Sequence, residues 1–333
     1  MDALQRVPLV VNEKIRNHQT MTAGRLCLAM SIAMLFLGRI LGAQDLAPRA
    51  YIISPIHSNA VVVSYSYFNG NLDFGGLPIT DAKATASVPS LSIFHSMNFF
   101  GRTANFTAAL PYGVANFSGT VLGTETNVYR SGLLDTVWRF SVNLYGGPSM
   151  DGRQYMKWRQ KTLIGASFRF MAPTGQYDPT KLVNLGNNRW AFRPEVGLSQ
   201  RFRKHWIVDA YAGGWFYTTN PKFFSQNQYN PGVTTRGQAP IASLEGHLSY
   251  DFKPRLWASF DGNFWRGGVS SLNGVESPAT EQRNSRLGGT VSVPMTKHQA
   301  VKFSYNNGAY ISYGGNFQNV SVGWQYSWYG RPD

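Results

Sequence analysis

The stretch Val320-Ser321-Val322-Gly323-Trp324-Gln325-Tyr326-Ser327-Trp328 decides the fold. Val320, Val322, Trp324, Tyr326 and Trp328 fall on one side of an extended chain, and Ser321, Gly323, Gln325 and Ser327 on the other. A helix, with its 3.6-residue period, cannot sort residues this way; a strand does. The same alternation recurs upstream, where Leu134, Thr136, Trp138, Phe140, Val142 and Leu144 interleave with Asp135, Val137, Arg139, Ser141 and Asn143. Ala242, Leu244, Gly246, Leu248 and Tyr250 likewise interleave with Ser243, Glu245, His247, Ser249 and Asp251. One face is apolar and the other carries the ions.

Working outward, twelve such segments cover roughly 59–68, 86–99, 104–112, 132–145, 161–172, 190–202, 206–217, 240–252, 256–266, 284–294, 299–306 and 317–329. Several outrun the five or six residues usual in soluble strands, as tilted membrane strands of about 9–11 residues must. Tight connections (Phe100 to Thr103, Phe202 to His205, Lys253 to Arg255, Met295 to His298) alternate with long polar ones (69–85, 113–131, 173–189, 218–239, 267–283, 307–316). The connection 146–160 departs from the rule by being long on the short-turn side. Trp190, Trp206, Tyr217, Tyr326 and Trp328 lie near strand ends, where interfacial aromatic girdles sit. The prediction is all-β: a single antiparallel transmembrane β-barrel of about twelve strands over 59–329, with short periplasmic turns and longer extracellular loops.

Composition agrees. Only 14% of the 333 residues are charged, against about 25% in soluble domains, yet the mean hydropathy is −0.24. The chain has no repeated apolar runs of about 20 residues for a helical bundle, and its 9 Trp, 17 Tyr and 21 Phe exclude a disordered one. The one long apolar run, Leu26 to Leu41, follows Lys14, Arg16 and Arg25 and ends in Leu41-Gly42-Ala43. Residues 1–43 therefore read as a secretory signal peptide, with Met21 an alternative start. The single cysteine, Cys27, lies inside it, so the mature chain has no thiol for a disulfide, a nucleophile or a metal. Removing the signal leaves a net charge of +11, and a basic exported chain meets lipid headgroups rather than nucleic acid. Residues 44–58 precede the first strand as either a small periplasmic plug or a disordered lead-in. Arg102, Arg203, Lys204, Lys253, Arg255 and Lys297 in the short turns are candidate contacts to anionic lipid.

A family resemblance adds to this reading. Phe100-Gly101-Arg102-Thr103 leads to Ala109-Leu110-Pro111-Tyr112-Gly113, and Ser131-Gly132-Leu133-Leu134-Asp135 opens the fourth strand. Pro173-Thr174-Gly175-Gln176-Tyr177 leads to Gly186-Asn187-Asn188-Arg189-Trp190 and then to Arg193-Pro194-Glu195-Val196-Gly197. Together these resemble the family described as "putative MetA-pathway of phenol degradation", over nearly the whole mature chain. The resemblance implies a Gram-negative outer-membrane barrel, an ordered outer loop from Pro173 to Trp190, and Arg193 and Glu195 just inside the barrel. It carries no catalytic residue.

The inward parity collects Asp135, Arg139, Arg169, Arg193, Glu195, Arg201, Asp209, Glu245, His247, Asp251, Asp261, Arg286 and Lys302, with the aromatics Phe94, Tyr211, Trp215, Trp257 and Trp265. Facing charges of both signs set solute selectivity in a bore, or fill and stiffen it as paired ladders. Three function classes follow: a passive channel or transporter for small compounds, aromatic or hydrophobic ones included; a lipid hydrolase built on the barrel; and a structural barrel. The hydrolase needs a His beside a Ser at lipid level, and the candidates are His95 and His247. Ser92 and Ser96 fall on the face opposite His95. No Gly-x-Ser-x-Gly elbow, phosphate loop or metal-spaced His cluster occurs, so no catalytic, cofactor or metal residue is assigned. The expected partners are outer-membrane lipid, a small solute and, during biogenesis, the barrel-assembly machinery. The favoured reading is the passive channel.

Overall fold

The computed structural model describes residues 46–73, 79–121, 123–181, 183–224 and 232–330. The segment 1–43, expected from its sequence to be a signal peptide, lies outside these. The described strands are β1 (Ser58–Asp73), β2 (Ile79–Phe99), β3 (Arg102–Val121), β4 (Thr124–Leu133), β5 (Thr136–Tyr145) and β6 (Thr162–Ala172). They continue with β7 (Ala191–Phe202), β8 (Trp206–Tyr217), β9 (Arg236–Gln238), β10 (Ile241–Lys253), β11 (Leu256–Gly267) and β12 (Ser270–Leu272). The last are β13 (Val275–Ser277), β14 (Gln282–Pro294), β15 (Gln299–Ile311) and β16 (Gly314–Tyr329).

All ladders of the main sheet are antiparallel, in the order β1, β2, β3, β5, β6, β7, β8, β10, β11, β14, β15, β16. β16 pairs back onto β1 from Ser58↔Tyr329 to Asp73↔Gly314, so the barrel has no open edge. The twelve alternating segments are its twelve walls. Val63, Leu91, Phe168, Val196, Leu244 and Phe260 are among the large apolar side chains left exposed on the outer surface, which is what a lipid-facing surface requires.

Three features depart from the sequence expectation. Residues 69–85 and 113–131 are largely strand, because β1–β2 and β3–β4 continue as tall hairpins beyond the barrel. They stay ordered because Ala84, Ala86, Val88, Ala115 and Phe117 bury against Val183 and Leu185 of the outer loop. Second, the segment 132–145 is broken at Leu134-Asp135. β3 pairs with β4 from Tyr112↔Leu133 and with β5 from Ala109↔Val137, a one-residue shift that reverses the parity above the break. Leu134 therefore turns inward and is buried against Leu185 instead of facing lipid. Third, Tyr217 shares the inward parity of Tyr211 and Trp215 on β8. It stacks 6.4 Å from Trp215 with the Arg189 guanidinium 4.5 Å over its ring, and does not join the girdle.

The long inner-end connection holds a short helix, α1 (Gly152–Lys157), started by a capping box between Asp151 and Gln154. Met150 ahead of it, with Tyr155 and Trp158, packs on Ile53 and Leu163 at the barrel mouth. At the outer end β9, β12 and β13 form a small separate sheet.

Candidate functional site

The inward side chains build the site strand by strand. A ladder of ions crosses the bore from β5 to β14. Arg139 Nη2 stands 3.8 Å from Glu195 Oε1, and Arg193 Nη2 lies 2.8 Å from Glu195 Oε2 and 2.5 Å from Glu245 Oε1. His247 sits between Glu245 (3.6 Å) and Asp261 (2.9 Å), and Thr290 donates to Asp261 at 2.8 Å. Apart from Arg139, which is only partly buried, these groups are almost fully buried, so each charge depends on its partner; deleting one partner of such a pair costs about 3–5 kcal/mol. Trp215 and Trp265 pack above with Met171 and Ile241, and Trp265 Nε1 donates to Gln282 at 2.9 Å. Arg286, also buried, donates to Asn306 at 2.7 Å.

A second group closes on the segment that precedes β1. Arg49 pairs with Asp251 at 2.7 Å, beside the Arg201–Asp251 pair at 2.8 Å, and its guanidinium lies 4.3 Å over Trp257. Lys302 Nζ approaches the same ring at 5.9 Å. The Arg49 and Ala50 N–H groups donate to Asp209 (3.3 Å) and to the Tyr211 hydroxyl (3.0 Å). Tyr51 is 1% exposed and donates to Glu195 at 2.9 Å. Its ring fits against two glycines paired across β6 and β7: a Cβ on Gly165 would meet it at 2.3 Å, and one on Gly197 at 2.2 Å. Residues 46–57 are thus seated inside the inner mouth of the barrel. The sequence reading missed this seat. Its signal was a pair of glycines at inward parity in neighbouring strands, where only absent side chains leave room for a ring.

Beside the ladder lies a cavity of about 530 Å³. One wall is made of small hydroxyl residues on β1, β2, β14, β15 and β16, including Ser64, Ser92, Ser292, Ser304 and Ser321. The facing wall presents Arg139, Arg169 and Trp215, and Lys302 also lines the space. Asp135 and Asp261 reach it as well. Asp135 sits at the strand break, where it accepts from the backbone N–H of Gly175 (3.0 Å) and of Asn187 (2.9 Å), pinning the 173–190 loop. In that loop the Thr180 hydroxyl and N–H donate to Asp178 and hold its carboxyl below the ordinary carboxylate range.

Three histidines outside the ladder have structural partners. His95 Nδ1 lies 2.7 Å from Asn59 Oδ1, and His205 and His298 meet the carbonyls of Asp251 (2.7 Å) and Ser327 (3.0 Å). The last two sit in tight turns, and each reaches a carbonyl of a neighbouring strand. Among the described residues no group of three or more His, Asp or Glu is arranged to hold a metal ion.

The family model described as "Putative MetA-pathway of phenol degradation" matches residues 70–310, well over half of the chain. Comparison with curated proteins finds no match. Among solved structures, an outer membrane channel from Pseudomonas putida F1 superposes with a TM-score of 0.71 at 18% identity, covering 85% of this chain and 100% of that one. The KdgM porin gives 0.41 at 12% identity over 80% and 99% of the two chains. The CymD monoaromatic hydrocarbon channel gives 0.42 at 8% identity over 83% and 90%. The first of these likenesses establishes an outer-membrane barrel fold.

Proposed function

The chain belongs to the family described as "Putative MetA-pathway of phenol degradation", and from that premise we propose that it is a passive outer-membrane channel for small compounds, aromatic or hydrophobic ones included. The observation that carries this is the cavity of about 530 Å³ inside a closed barrel whose opposite half is filled. Interior space of that size is what a small solute needs, and the ions and hydroxyls around it are the groups by which bores select. The inward charges from Asp135 to Lys302 are its candidate selectivity residues, and residues 44–58 are its plug. The protein acts in the outer membrane of a Gram-negative bacterium, after export by its signal peptide and insertion by the barrel-assembly machinery. It needs no cofactor.

A non-enzymatic role is the better reading of the histidines. His95 faces Asn59, and among the described residues no serine is hydrogen-bonded to it. His247 has a side chain with no exposure to solvent and is held between two carboxylates. Planar-bilayer conductance of the refolded protein tests both parts of the proposal. We expect small, measurable channels from the full mature chain and several-fold larger ones from a variant lacking residues 44–57. No conductance and no solute uptake from either form sinks the channel; equal conductance from the two sinks the plug.

A further inference from the structure

We propose that the inner rim of the barrel carries a binding site for an anionic phospholipid, its phosphate on Arg203, Lys204 and Lys253 and its acyl chains along the aromatic band beside them. The site does not depend on whether the barrel conducts.

Three neighbouring turns build it: Phe202 to Trp206 between β7 and β8, Lys253 to Leu256 between β10 and β11, and Met295 to His298 between β14 and β15. They carry Arg203, Lys204, Lys253, Arg255 and Lys297, all exposed, and no acid. Asp251, on the strand end between the first two turns, is taken by Arg49 and Arg201. Among the described residues none of the exposed turn cations forms an ion pair. At the outer end the signs are mixed, and exposed cations have acids of their own: Lys181 pairs with Asp178 and Arg266 with Glu281, both at 3.2 Å. Like charges gathered at a membrane surface without an internal counter-ion attract anionic headgroups.

The turns are fixed relative to one another. His205 Nδ1 lies 2.7 Å from the Asp251 carbonyl oxygen, and the Asp251 N–H donates to the His205 carbonyl at 2.8 Å. Arg255 reaches the third turn and donates to the carbonyls of Thr296 (2.8 Å) and Lys297 (2.7 Å). The cations therefore stand on one preorganised shelf instead of three independent tips. The backbone adds a separate signal. Arg203 has φ of 51° and Arg255 of 67°, in the left-handed region that glycine or asparagine fills most easily. Arg255 has its bridge to the third turn to offset that strain. Arg203 makes no hydrogen bond or ion pair among the described residues, so its strained position only presents a guanidinium to the outside.

The surface next to the shelf favours a lipid over a soluble acid. Trp206 and Tyr250, directly opposite across β8 and β10, pack edge to face at 4.8 Å, and Phe252 meets Tyr250 at 5.0 Å. Phe202, Trp206 and Phe252 are exposed on the lipid-facing side of their strands. An acyl chain lies along such a band while its phosphate reaches the cations at the band's edge, as aromatic belts and long basic side chains meet headgroups. An acidic peptide would use the charges and leave the band bare.

The test is native mass spectrometry of the full mature protein in non-ionic detergent, titrated with phosphatidylglycerol or with phosphatidylcholine of the same acyl chains. We expect the first phosphatidylglycerol to be held about tenfold more tightly than the first phosphatidylcholine, the scale of one or two cations at a headgroup. Arg203→Gln, Lys204→Gln and Lys253→Gln together should erase that preference and leave phosphatidylcholine binding unchanged. Lys181→Gln, Lys222→Gln and Arg283→Gln together remove the same charge from the outer end and should leave the preference intact. Equal affinity for the two lipids in the wild type overturns the proposal and needs no variant to fold. A preference that survives the inner-end change, or that the outer-end change erases equally, overturns it too, since either would mean attraction by net charge alone. Binding of a polyglutamate peptide to the wild type without any lipid preference would give the shelf to a soluble acidic partner and likewise overturn the lipid site.

Discussion

The two halves of the lumen obey one alternation and do opposite things. From β5 to β11 the inward positions hold Arg139, Arg193, Glu195, Tyr211, Glu245 and Trp265, and with Tyr51 they fill the space. From β14 round to β2 the inward positions hold Ser292, Ser304, Ser321, Ser64 and Ser92, and the space stays open. A barrel of twelve strands is wide enough to be a pore and narrow enough to be filled. The difference teaches that side-chain volume, distributed around the ring, decides where a path runs. Charge in the filled half serves first as structure, and its border at Arg139, Arg169 and Asp261 meets the cavity.

The sharpest way to break this comparison is to remove a partner in the filled half. Glu245→Leu leaves Arg193 and His247 without a shared carboxylate, and we expect about 3–5 kcal/mol of lost stability in urea unfolding. Ser66→Ala in the open half removes one hydroxyl pair with Ser321 (2.8 Å) and should change stability by about 1 kcal/mol or less. Comparable losses in the two halves would undo the distinction. The plug seat is the next test. Gly197→Leu places a side chain where the Tyr51 ring lies, and we expect conductance to rise to the level of the variant lacking residues 44–57. Tyr51→Ala, which deletes a buried ring, should raise conductance too, with about 3 kcal/mol at most of lost seating energy. Single-channel recordings that do not change would show the ring to be no barrier.

Filling the open half is a gentler perturbation. Ser304→Trp should lower single-channel conductance by half or more without shifting the unfolding midpoint, because the cavity has room for the ring. A shift of the midpoint with conductance unchanged would mean that the path runs elsewhere. The smallest effect is expected outside the barrel. Asp178 has a lowered pKa in the folded loop, so its contribution is present above the ordinary carboxyl pKa of about 3.9 and fades as the pH falls through the lowered value. Protection factors of the 173–190 loop amides, corrected for the intrinsic pH dependence of exchange, should therefore be flat from pH 7 to about 5, and Asp178→Asn should leave the urea-unfolding midpoint unchanged.

Much of the fold was legible in the chain because alternation is a local property. Each of the twelve walls could be found from residues such as Val320 to Trp328 alone, since a strand sorts its own neighbours without reference to the rest of the molecule. Where the local pattern was interrupted, reading failed. One added residue at Leu134-Asp135 reversed the faces beyond it, and the break holds because Gly175 and Asn187 donate to Asp135 from a loop 40 and 52 residues away. The hairpins above the barrel read as polar loops because Ala and Gly there give weak alternation; Val183 and Leu185 make them strands by covering them. Tyr217 was misplaced because an aromatic at a strand end suits a girdle or an interior equally, and only β8 parity separates the two.

The candidate site divides in the same way. That Arg139, Arg169, Arg193, Glu195, Glu245, His247 and Asp261 point inward is fixed by sequence parity. That Arg193 lies between Glu195 and Glu245, that three arginines stand in one row, and that Tyr51 fits against Gly165 and Gly197 was decided by the closed tertiary structure. The physical reason is range. Alternation follows from the geometry of one strand, whereas the meeting of groups across a bore depends on strand number, register and closure, which no single strand encodes.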